Sequence, residues 1–179
     1  YHDLLTVSDD AIRLNSELNS YESRTEAMAG IITDLREKGL VPGWRNEAYP
    51  VGPGFTAPPV FQIERAAITL FGFKAYGVHM NGYVKDGDGL KLWVGKRSLS
   101  KPTGPGKLDH LVAGGQPVGL GLRENLIKEC AEEANIPASL AQEARAVGTI
   151  SYRTSRAEGM RDDICFNFDL QLPPDFKPK

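Results

Sequence analysis

Cysteine is nearly absent: Cys130 and Cys165 are the only two. They lie far apart and fit no metal-ligand spacing, so they read as small buried hydrophobes in a reducing compartment, the cytoplasm. A charge excess of one sign is also lacking. Lys and Arg number 21 against 23 Asp and Glu, a net charge of −2, which implies neither a nucleic-acid nor a membrane partner. No apolar run is long enough to span a bilayer. There is no internal repeat, no low-complexity tract and no visible signal peptide. The chain begins at Tyr1 without Met, so an N-terminal piece is expected to be missing. What is present, 179 residues, suffices for one good core or one domain with an extension.

The most informative stretch runs from Ala113 to Ile136, AGGQPVGLGLRENLIKECAEEANI. Its apolar spacing predicts a helix over 121–134, with Leu122, Leu126, Ile127, Cys130 and Ala134 on one arc. Glu129, Glu132 and Glu133 fall at i, i+3 and i+4 and share a face at the edge of that arc. Like charges at this spacing repel, and a bound cation turns the cost into affinity. A hard divalent ion, Mg2+ or Mn2+, suits carboxylate oxygens best. Two glycines, Gly114 and Gly115, stand ahead of the helix and are expected to form a tight turn. An ordinary solvated acidic face is the plainer reading of the same residues.

Read in order, residues 1–40 look helical. Asp9 or Asp10 is a candidate cap for a helix through Ile12 and Leu14. Ser20 or Ser23 caps a second helix that buries Met28, Ile31, Ile32 and Leu35 and stops at Gly39. Residues 41–60, rich in Pro and Gly, form a connector. Phe61–Leu70 reads as a short helix or a strand-to-helix junction around Glu64-Arg65. Phe73–Val84 and Leu90–Val94 form a hairpin, with Tyr76, Val78, Met80 and Gly82 facing one way. A strand over Leu108–Val112 delivers the Gly-Gly turn. Glu124 and Lys128 are spaced for an i, i+4 ion pair. Ala146–Tyr152 and Ile164–Leu172 are strands joined by a polar segment, Arg153–Asp163.

The spacing of Gly114, Gly119, Lys128, Glu129, Cys130, Glu132, Glu133, Asn135 and Ile136 resembles the Nudix box, G-x5-E-x7-R-E-apolar-x-E-E-x-G-apolar. Leu120 stands where the pattern has its first Glu, Lys128 where it has Arg, and Asn135 where it has the last Gly. Lys keeps the charge but not the planar fork, and Asn suits a left-handed helix end. Longer stretches resemble one Nudix subgroup, the domain associated with thiamine pyrophosphokinase. They are Glu64–Ala67, Phe71-Gly72, Tyr76–Tyr83, Gly106–Asp109, Ala113–Gly119 and Lys128–Ala134. That resemblance implies an α/β/α sandwich with a mixed sheet over residues 66–179, preceded by a subgroup extension over 1–65, here mainly helical. It implies further chain beyond Lys179, a strand and a closing helix. It also implies metal-dependent hydrolysis of a diphosphate, with oxidised (oxo and oxy) thiamine diphosphates as the substrate class. By analogy alone, a homodimer is expected.

Under this reading Glu132 and Glu133 hold the metal, and Glu129 is a third ligand or the base that orients water. The Ala113 carbonyl joins them by resemblance. Gly114 and Gly115 bring backbone to the diphosphate, and Arg97, Lys101 and Lys107 donate to it; a solvated basic loop explains those three equally well. His79 reads as a structural histidine. Trp44, Trp93, Tyr76 and Tyr83 are stacking candidates, though each alone reads as core. Asp162 and Asp163 are candidates for a late acidic ligand. Two other functions stay open: a Nudix pyrophosphatase for a nucleoside diphosphate derivative, and a non-catalytic Nudix-fold binding module, which Leu120 favours.

Overall fold

The computed structural model describes all residues except His2 and Lys101–Thr103. The basic residue Lys101 therefore lies outside the described residues. The chain forms two compact units, Tyr1–Lys74 with Thr154–Asp162, and Ala75–Arg153 with Asp163–Lys179.

The first unit opens with an antiparallel hairpin, β1 (Leu5–Val7) and β2 (Ile12–Leu14). The helix expected there does not form. The acids read as its cap make the hairpin turn instead: Ser8 Oγ donates to Asp10 Oδ1 at 2.7 Å and Ser8 N–H to the Ala11 carbonyl at 2.8 Å. Asp and Ser serve turns as readily as caps, and β-branched Val7 and Ile12 favour the strand. α1 (Tyr21–Glu37) starts where expected. Ser20 is its N-cap and exchanges hydrogen bonds with Ser23, at 3.0 and 3.1 Å, satisfying two otherwise orphaned backbone N–H groups. The helix buries Ala27, Met28, Ile31 and Ile32, and Gly39 follows its end at φ 75°, a conformation that suits glycine. β3 (Ala48–Val51) pairs antiparallel with β4 (Phe61–Glu64). The buried Glu64 carboxylate accepts the N–H groups of Arg45, Glu47 and Ala66 at 3.0–3.2 Å. It thereby fixes the junction into a 3-10 turn, Arg65–Ala67, and α2 (Ile68–Phe71).

In the second unit β5 (Lys74–Asp86) is the central strand, beginning at the boundary. It pairs antiparallel with β6 (Gly89–Trp93) over Gly82–Asp86. Tyr76, Val78, Met80 and Gly82 are all buried, as alternation predicted. β7 (Gly95–Lys96) and β8 (Leu108–Asp109) make a separate short ribbon. β9 (Val112–Gly115) pairs antiparallel with β5 over Gly77–Met80. The single strand expected at Leu108–Val112 is thus split in two, and Gly114-Gly115 belong to a strand, not a turn. α3 (Leu122–Ala134) and α4 (Ala138–Ala141) follow. β10 (Arg145–Arg156) and β11 (Gly159–Gln171) form the last two strands. The segment read as a polar link is mostly strand, because an exposed hairpin needs no apolar alternation. The sheet order is β10-β11-β5-β6, with β9 beside β5.

The core of this unit joins α3 to the sheet: Leu126, Cys130 and Ala134 meet Val78, Met80, Val112, Phe168 and Leu170. Leu122 and Ile127 pack at its margin. The fold class is mixed α/β with a mixed sheet, as the resemblance implied, and helices are few.

Candidate functional site at the β9 and α3 junction

The backbone reaches α3 through Gly119, at φ 85°; the elbow expected at Gly114-Gly115 lies here instead. Gly121 precedes the first turn, and its N–H donates to Glu124 Oε2 at 2.9 Å. Glu124 is thereby committed to the helix start, and the i, i+4 pair expected with Lys128 is not made. Lys128 instead bridges two other acids, with Nζ 3.0 Å from Glu129 Oε1 and 3.0 Å from Glu132 Oε2. Burial pulls the Lys128 ammonium toward losing its proton, but Glu132 and Glu129 outweigh this and hold its pKa above the usual lysine value. Asn135 ends the helix at φ 53°, a left-handed cap.

Two of the acids are set against β9. A Cβ on Gly114 would collide with the Glu129 carboxyl group, so glycine there leaves the volume that Glu129 fills. Glu129 is accordingly the most sheltered of the bridged pair, its side chain 12% exposed against 59% for Glu132. Glu133 Oε2 accepts the Ala113 N–H at 2.9 Å. Both Glu129 and Glu133 lie near enough to Cys130 to add to burial in pushing its thiol pKa up to about 12.

Beneath the junction is a polar pair the sequence reading missed. Asn125, fully buried, donates to the Gly115 carbonyl at 2.8 Å and to Gln116 Oε1 at 3.2 Å. Gln116 in turn donates to the Leu120 carbonyl at 2.7 Å. The pair ties the end of β9 to the loop entering α3. The available signal was a polar residue beside Leu126 on the inner side of the helix.

Arg97 donates to Asp109 at 2.6 Å. Burial raises the Asp109 pKa, but the Arg97 and His110 donors prevail and hold it below the ordinary value. Lys107 is exposed. The His79 and His110 rings lie 4.4 Å apart, and His79 is opposite Ala113 in the β5 and β9 register. Tyr76 stacks on Phe166 in the core, and Trp44 lies under Arg36. Asp162 pairs with Lys74, and Asp163 accepts the Tyr152 hydroxyl at 2.7 Å.

Among the described residues no three His, Cys, Asp or Glu side chains are grouped to hold a metal ion. The donors nevertheless fit one. They are all oxygens, and Glu129 and Glu132 already grip one positive charge, the Lys128 ammonium. Magnesium asks for only one or two carboxylates, with waters and phosphates supplying the rest.

Residues 1–75 match a family model described as a domain of unknown function, DUF4743. The chain is 51% identical over 189 residues to "Nudix hydrolase 20, chloroplastic" of Arabidopsis thaliana, covering 100% of this chain and 50% of that protein. It is 52% identical to "Nudix hydrolase 24, chloroplastic" of the same plant, covering 99% of this chain and 49% of that protein. The chain therefore spans about half the length of these relatives. A "MutT/nudix family protein" from Enterococcus faecalis superposes on 97% of this chain and 52% of its own, at 14% identity and TM-score 0.48. The family that the aligned relatives' names support for this chain is that of the Nudix hydrolases.

Proposed function

We propose that this chain carries the site of a metal-dependent Nudix diphosphohydrolase, and that its substrate is an oxidised thiamine diphosphate, cleaved to the monophosphate and inorganic phosphate. The observation that carries the reading is the pair of carboxylates, Glu129 and Glu132, closed on a single cation beside the Gly114 backbone. In this reading Glu129 and Glu132 hold a magnesium or manganese ion, which when bound neutralises charge on the diphosphate. Glu133, whose Oε2 accepts the Ala113 N–H, and the Ala113 carbonyl would join them only as the metal binds, since no three acids among the described residues are grouped beforehand. Glu129, sheltered from solvent, orients the attacking water. Water adds to the terminal phosphorus, the bond to the bridging oxygen breaks, and the monophosphate departs with that oxygen. Gly114 and Gly115 keep backbone within reach of the phosphates, and Lys107 donates to them. Arg97 joins only by leaving Asp109.

The match over residues 1–75 and the first unit's long segment, Tyr1–Lys74, support an N-terminal extension distinct from the hydrolase domain. We propose a homodimer as the working assembly. No helix among the described residues is long and apolar enough to cross a membrane. Two buried free cysteines suit a reducing compartment. The cytoplasm is our proposal, and the chloroplast of the plant relatives' names is the second choice.

Leu120, 37% exposed where the box pattern has a carboxylate, favours a second reading, a binding module without catalysis. The test is incubation with magnesium of oxothiamine diphosphate, thiamine diphosphate, ADP-ribose and a nucleoside triphosphate, with the products separated by chromatography and inorganic phosphate measured beside them. Release from the first, abolished by Glu133→Gln, is the expected result. Cleavage of ADP-ribose alone, to AMP and ribose 5-phosphate, replaces the substrate, and silence across the panel replaces the enzyme with the binding module.

A further inference from the structure

The first unit contains a cavity of about 460 Å³, within the range of small-molecule sites, roughly 300–1,000 Å³. All of its walls come from residues 5–73, inside the segment matched by the domain of unknown function. Met28 and Phe61, 2% and 5% exposed, form its floor, and Ile12 and Val60, 55% and 39% exposed, its mouth. Phe71 and Phe73 add an aromatic wall. Their rings stack on each other at 5.5 Å, and Phe61 meets Phe73 edge-on at 5.6 Å.

One charged residue, Arg24, lines this apolar space. Its guanidinium reaches the Val60 carbonyl at 3.4 Å, a long hydrogen bond, which places it at the mouth. Among the described residues it makes no ion pair. A guanidinium has five donors in a fork that matches a carboxylate, and only one is spent here. Apolar floor, aliphatic rim and one cation at the entrance together describe a complement for an amphipathic anion.

We propose that the cavity binds an unbranched acyl carboxylate, with the chain against Met28 and Phe61 and the carboxylate on Arg24. This site is independent of the α3 carboxylates.

The test is calorimetric titration of the purified chain with dodecanoate, below its micellar concentration, and with dodecanol as the uncharged match. We expect saturable one-to-one binding of dodecanoate, about tenfold tighter than dodecanol. Arg24→Met should erase the preference while keeping dodecanol binding, and Arg24→Lys should restore part of it. Ile12→Trp, at the exposed mouth, should block both ligands, with thermal melts showing that each variant folds. Absence of saturable dodecanoate binding overturns the proposal. So does equal affinity for dodecanol, which would mark an apolar hole only, or indifference to Ile12→Trp, which would place binding elsewhere.

Discussion

The carboxyl group of Glu129 fills the space that a methyl group on Gly114 would need. The obstacle is the far end of a side chain, so Gly114→Ala should fold with Glu129 displaced. Overpacking of this kind costs about 1–3 kcal/mol. Activity should fall at least about tenfold, because a shift of roughly 1 Å at reacting groups is costly. Thermal melts and phosphate release, measured on the same preparation, check both.

Lys128 and a divalent ion compete for the same two carboxylates. Lys128→Met should lower the melting temperature without metal, since Glu129 and Glu132 then repel unscreened. Magnesium should bind the variant about tenfold more tightly, roughly 1.4 kcal/mol. The readout is the magnesium dependence of the melting temperature, which needs no turnover. An equal response in variant and parent would show that the lysine bridge and the metal occupy different places.

Much of α3 was legible because its apolar period, its Asn135 stop and its three acids are all local. The partners of its charges were not. Lys128 could reach Glu124 or Glu132 by spacing, and the choice fell to Glu132 because Glu124 is held by the Gly121 N–H. Gly114-Gly115 looked like an elbow because glycine marks turns and close approaches alike; only the position of Glu129 distinguishes the two. The N-terminal hairpin was misread for a similar reason, since Asp9-Asp10 suits a turn as well as a cap. The Asn125 and Gln116 pair joins a helix to a loop, and no local pattern announces such a contact.

Arg97 and Asp109 form the next test. The Asp109 pKa is depressed in the fold, so its stabilisation is fully present above the unfolded value. It is lost as pH falls through the lower folded value. The stability difference between parent and Asp109→Asn should hold from neutral pH to about pH 4 and close below it. Urea midpoints across that range measure it. A difference that persisted at the acid end would exclude the ion pair as its source.

Cys130 is fully buried, with its thiol pKa pushed up to about 12 by burial and by Glu129 and Glu133. Because the thiolate is the nucleophile, alkylation at pH 8 should leave Cys130 unmodified in the folded protein and modify it in urea. Peptide mass mapping reads the site directly. Glu129→Gln should leave it protected, because burial is the larger cause.

Ala113 spends its amide hydrogen on a helical acid, Glu133. The rim of β9 is therefore plugged by a side chain at that point. An intruding peptide seeking to lengthen the sheet through this residue would find its donor already taken, and an acid standing in the way. The residue that serves the proposed chemistry would thus also discourage self-association along this border.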